Sequence, residues 1–99
     1  MISRHWRGLA KADKADDYVS HLKTETFPAL RKITGFLNAQ ILRVNETRGV
    51  EFLVITNWTS IDAIRAFAGA DSEVAVVPPQ VQALMVEYGP RARHYEVVE

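Results

Sequence analysis

Residues Glu51–Gly69 read EFLVITNWTSIDAIRAFAG: a strand, an abrupt stop and a short amphipathic helix. Side chains alternate along a strand, so Phe52, Val54 and Thr56 face one way and Leu53 and Ile55 the other. Both faces of this strand are therefore apolar. A domain of 99 residues can cover one face of a small sheet with its own helices, and the other face then needs a partner. The pattern predicts an obligate homodimer built sheet on sheet.

Working outward, Thr59 or Ser60 caps the helix, Asp62 lies in its first turn, Ile61, Ile64 and Phe67 form its buried stripe, and Gly69 ends it. Upstream, the polar loop Asn45-Glu46-Thr47-Arg48-Gly49 joins the strand to an earlier one over Phe36–Val44, as a hairpin. Ile2–Leu9 is the first strand. Lys11–Asp17 opens a helix with Asp13 as N-cap and Asp16 in the first turn. Tyr18, Val19, Leu22, Leu30 and Ile33 mark its apolar face, with a kink expected at Pro28 and an end at Gly35. Ala70–Val77 fits neither periodicity. Pro79 suits the first turn of a short helix carrying Val81, Leu84 and Met85, and Arg91–Val98 is the last strand. The order β-α-β-β-α-β is an α+β, ferredoxin-like arrangement with the first and third strands central and the first and last adjacent. No linker or repeat interrupts it, so residues 1–99 form one domain.

Composition narrows the function classes. Twelve basic and twelve acidic side chains cancel and form no basic stripe, which argues against nucleic acid and anionic membrane as partners. With no cysteine, the chain has neither disulfides nor thiolate chemistry nor sulfur ligands for a metal. No apolar run approaches the roughly 20 residues of a membrane span. The start MISRHWRG is too charged for a signal peptide, and a cytoplasmic location is expected.

The strings WRG, ADDYVSHL, GFLNAQILR, EFLVITNWTSIDAIRAFAG, AVVPP and YGPRARHYEVV, in that order, resemble the antibiotic biosynthesis monooxygenase superfamily of dimeric α/β barrels over nearly the whole chain. The resemblance implies two sheets packed face to face, and relatives that include cofactor-free oxygenases of phenols and quinols and haem-degrading enzymes. The chain departs from both groups. Haem-degrading members resemble a pattern of Asn, Trp and His that falls here on Arg7, Phe67 and Val77, so haem degradation is disfavoured. Quinol-oxidising relatives often carry a histidine where this chain has Phe67, and Thr34 replaces a proline before the Gly35 turn.

Among the three histidines, His5 and His94 lie on strands expected to be neighbours, side by side, whereas His21 follows on the first helix and is expected in solvent. A neutral imidazole accepts a phenolic proton near pH 7, which makes His94 or His5 the candidate base; the plain alternative is a hydrogen-bonded strand histidine. Two histidines without a third ligand do not make a metal site. Trp58 is either a core anchor or a wall for an aromatic substrate. Asn57 is a turn residue or a donor to developing negative charge. Trp6 and Arg7 face opposite ways, Arg4 and Trp6 share a face that allows a cation–π contact, and Arg7 either binds an anion or pairs with Glu51 or Glu96. Phe67 completes the candidate substrate-binding set. The expected activity is a cofactor-independent monooxygenation of a small aromatic or quinol-type metabolite. The alternatives are a non-catalytic ligand-binding or stress-associated dimer, and a proton-transfer lyase or isomerase using His94 and Glu96.

Overall fold

A computed structural model describes residues 1–99. Its elements are β1 (Ile2–Ala10), α1 (Ala15–His21), α2 (Phe27–Leu30), β2 (Phe36–Glu46), β3 (Gly49–Trp58), α3 (Ile61–Ala68), α4 (Pro79–Gln82), β4 (Met85–Tyr88) and β5 (Arg93–Glu96). The sheet is antiparallel in the order β2-β3-β1, and β1 carries both β4 and β5 on its far edge. This is the ferredoxin-like α+β architecture, with β3 and β1 central. No helix is long and apolar enough to cross a membrane.

β1 has nine residues, long enough to pair with two short strands in succession: Ile2–His5 with β5, and Gly8–Ala10 with β4. The break falls where Gly89 donates its N–H to the Arg7 carbonyl at 2.9 Å and Pro90 supplies no donor. β4 was not legible from periodicity, because four residues are too few to show an alternation, and Met85 belongs to it rather than to the preceding helix. The last strand is correspondingly shorter than Arg91–Val98.

Asp13 does not cap the first helix. It lies inside a 3₁₀ turn, Ala12–Lys14, that feeds directly into α1, and no side chain accepts from the first-turn N–H groups. Ser60 does cap α3, its Oγ accepting from Ala63 N–H at 3.2 Å, and Gly69 ends that helix at φ 93°. Between α1 and α2 the chain widens into a π turn over Leu22–Thr26. Pro28 explains it: a proline ring collides with the carbonyl four residues earlier in a regular helix, and the wider turn relieves that contact.

Both helical segments and α3 cover one face of the sheet. Phe52, Trp58, Leu30 and Ile64 are its largest fully buried side chains. Tyr18 stands edge-on to Phe52 with ring centres 5.0 Å apart, and Trp58 meets Phe36 edge-on and Phe67 in a stack. The other face of the sheet is uncovered. On it Leu42 and Val44 are 46% and 56% exposed, and Leu53 and Ile55 are half-buried. The expected two-sided strand is thus present.

Gly35 turns the chain into β2 at φ 98°, and a Cβ there would lie 2.6 Å from the Ala63 Cβ. Gly35→Ala is expected to lower the free energy of urea unfolding by about 1–3 kcal/mol through combined strain and overlap; an unchanged midpoint would show that the turn relaxes freely.

Candidate functional site

Alternation along β1 decides which side chains meet beneath the helices. Arg4 and Trp6 point to the helical layer, with Val54 and Thr56 of β3 beside them, because cross-strand partners share a face. Trp6 folds back over Gly8, where an added Cβ would lie 2.5 Å from the indole, and its Nε1 donates to the Gly89 carbonyl at 2.8 Å. Phe67 comes from α3; Tyr18 and His21 come from α1, and Leu22 and Thr26 from the π turn. Together with Phe27, Leu30, Val76, Pro78 and Val81 these residues line a cavity of about 60 Å³. π turns are rare and recur at functional sites; this one brings His21, Leu22 and Thr26 to the cavity wall.

The wall is mainly apolar and contains no carboxylate. Arg4 is 4% exposed, and its guanidinium donates from Nη2 to the Val74 carbonyl at 2.7 Å while lying 5.4 Å from the centre of the Phe67 ring. Burial pulls its pKa down to about 10, which still leaves it charged at neutral pH. Burial pushes the Tyr18 phenol upward, so it stays protonated.

The structure separates the residues expected to act together. His5 pairs with Arg93 and His94 with Arg4, so the two imidazoles occupy opposite faces of the sheet rather than lying side by side. A one-residue offset in register is enough, because it changes parity. His5 bonds the Ser3 hydroxyl at 2.9 Å and leans on Tyr95 on the uncovered face. His94 shares the helical face with Arg4, its Nε2 buried without a partner, and it is not part of the cavity wall. Asn57 also lies on the uncovered face, donating to Asn38 at 2.7 Å, and Arg7 pairs there with Glu51 at 2.9 Å. Trp58 is fully buried and donates its Nε1 to Thr56; it stands behind Phe67 rather than on the wall. Of the candidate substrate-binding residues, Trp6 and Phe67 line the cavity. Arg4 meets Phe67 rather than Trp6.

His21 and Arg4 are the wall residues that sequence reasoning missed as site residues. The signal for His21 was its spacing: it follows Tyr18 by three positions, which places both on one helical face. For Arg4 it was parity with Trp6.

Both strand histidines are held below the ordinary imidazole value of 6.5: His5 by burial, and His94 by burial and then by Arg4, against an opposing pull from Glu73. Such groups bind fewer protons folded than unfolded, so their contribution to stability is full above 6.5 and falls as pH drops through that value toward the folded pKa. The urea midpoint is expected to fall over that window, and His5→Gln with His94→Gln to flatten the fall. An undiminished fall in the double variant would assign the acid sensitivity to other groups.

No curated protein matches the chain. Among solved structures, a putative antibiotic biosynthesis monooxygenase from Bacillus cereus is 17% identical, with 100% of this chain and 93% of that one covered and a TM-score of 0.69. The ActVA-Orf6 monooxygenase of Streptomyces coelicolor, solved with nanaomycin D, is 19% identical over 99% of this chain and 88% of its own, at a TM-score of 0.67. The haem degrader MhuD of Mycobacterium tuberculosis, solved with two haems in its active site, is 19% identical over 100% and 97%, at 0.62. At these identities the likeness is one of fold. A model of the antibiotic biosynthesis monooxygenase family matches residues 1–78, more than three quarters of the sequence, and the chain belongs to that family.

Proposed function

We propose that the protein is a cofactor-independent monooxygenase of a small phenol or quinol bound between the sheet and the helices. Family membership supports the reaction class. The observation that carries the site is an apolar cavity whose ionisable wall residues are Arg4, His21 and a protonated Tyr18. Phe67 forms part of its wall, whereas Trp58 and Met85 do not. In this reading the aromatic substrate stacks among Trp6, Phe27 and Phe67. His21 takes the phenolic proton, the proton transfer for which an imidazole is suited. The electron-rich phenolate passes electrons directly to O2. One oxygen atom enters the ring and the other leaves as water with two substrate hydrogens, converting a phenol to a quinone. The protein orients the ring and keeps water out.

The test is oxygen uptake by the metal-free protein over single-ring dihydroxyphenols. Uptake is expected, and His21→Ala is expected to reduce it by about 10²- to 10⁴-fold, with His5→Ala and His94→Ala near wild type. Loss in His94→Ala or His5→Ala instead would move the base to that strand. No uptake across the panel would favour a non-catalytic ligand-binding protein.

Haem is the competing ligand, because one structural relative was solved with two haems bound. The cavity of about 60 Å³ compares with about 300–1,000 Å³ for pockets that enclose drug-sized ligands, and a flat tetrapyrrole does not enter it without displacing the wall. A tetrapyrrole requires a far larger displacement of that wall than a single ring does, which favours the phenol. A haemin titration is expected to give no saturable Soret shift; a saturable shift lost in His21→Ala would establish haem binding in place of the phenol.

The uncovered sheet face supports a homodimer, with Leu42, Val44, Leu53 and Ile55 of one copy against the same residues of another. Sedimentation is expected to report a dimer, and Leu42→Glu with Leu53→Glu a folded monomer. A wild-type monomer would overturn this arrangement.

A further inference from the structure

We infer that Arg4 is the recognition point for a carboxylate carried on the ligand's aromatic ring. The inference takes the cavity from the reading above and adds the charge of the substrate class: a single-ring phenol bearing an acid group.

Arg4 is unlike the molecule's ion-paired arginines. Arg7, Arg43, Arg48, Arg65 and Arg91 each meet a carboxylate, and all of those guanidinium groups are substantially exposed. Arg4 is buried and takes part in none of the ion pairs. A guanidinium offers five N–H donors. The side chain's single hydrogen bond is to the Val74 carbonyl, and its buried Nε has no partner. Glu73, the acid that acts on neighbouring His94, is bonded to Arg91 at 3.0 Å. A buried charge without a counter-ion is costly, and proteins ordinarily pair it. The cavity wall supplies no Asp or Glu to do so.

The geometry also selects the kind of anion. The guanidinium lies over the Phe67 ring at 5.4 Å, and Phe67 is itself stacked on buried Trp58. A guanidinium whose orientation is fixed in this way presents a planar fork, which matches a planar carboxylate with two parallel hydrogen bonds. The rest of the wall is aromatic and aliphatic, suited to the ring that carries the acid. At about 60 Å³ the cavity is below the roughly 150 Å³ that takes up a benzene molecule, so even one ring enters only as the wall gives way, and this limits the ligand to a single ring.

Benzoate and benzamide form a matched pair of equal shape, differing in charge, and neither is a quinol. Calorimetric titration of the wild type is expected to show benzoate binding about 10- to 100-fold more tightly than benzamide, the range of a charge-assisted bond. Arg4→Met is expected to remove that preference while leaving benzamide affinity within about twofold, and Arg4→Lys to keep part of it. The wild-type ratio stands as a test even if Arg4→Met does not fold. Equal affinities, binding of neither probe, or a preference that survives in Arg4→Met overturns the assignment. Because neither probe is an oxidisable quinol, a benzoate preference without oxygen uptake leaves the anion site standing and removes the oxygenase. Uptake without the preference does the reverse.

Discussion

The period-two alternation of β1 is the constraint on which this molecule depends. Its nine residues lie at the centre of the sheet, so each side chain must go to one of two unlike environments. Arg4, Trp6 and Gly8 go beneath the helices; Ser3, His5 and Arg7 go to the uncovered face. The cost of this arrangement is concentrated at Arg4, a cation held in an apolar layer with one carbonyl for company. Such a group persists only where the surrounding fold fixes it, and here Phe67 from α3 and the Val74 carbonyl do so.

The second constraint is the disturbed helix. Pro28 and the π turn over Leu22–Thr26 shift the face that the helix offers to the sheet. A regular helix through these residues would place successive turns under a single stripe of apolar contacts. The wider turn leaves a gap against β1 and β3, and Leu22 and Thr26, with Tyr18 and His21 one turn earlier, border that gap.

Much of this architecture was legible in the sequence because it rests on periodicity. The two-sided pattern of Phe52–Thr56, the Ser60 cap, the glycine stop at Gly69 and the helix start at Pro79 are all local signals, and each appears where expected. The helix expected to run to Gly35 ends at Leu30 instead, and Ile33 and Gly35 lie in the turn that leads into β2. β4 was missed because a four-residue strand carries no period. The site was harder. Whether His5 and His94 meet depends on a one-residue register between strands nearly ninety positions apart in sequence, which no local pattern encodes. Trp58 and Asn57 lie next to each other yet serve opposite faces, one behind the aromatic wall and the other bonded to Asn38. His21 lies three positions from buried Tyr18 on the same helical face and is half-buried, not free in solvent.

The double pairing of β1 has a consequence for change over time. Since β5 holds its first half and β4 its second, the two halves are anchored separately, with a break at Gly89-Pro90. Point substitutions can retune the cavity face or the open face almost independently, because no side chain belongs to both. A single-residue insertion or deletion within the strand has no such freedom. It would carry every residue beyond it to the opposite surface, exchanging the buried cation for the half-buried histidine. Lineages of this fold can therefore drift widely in residue identity while the length of this one strand stays fixed.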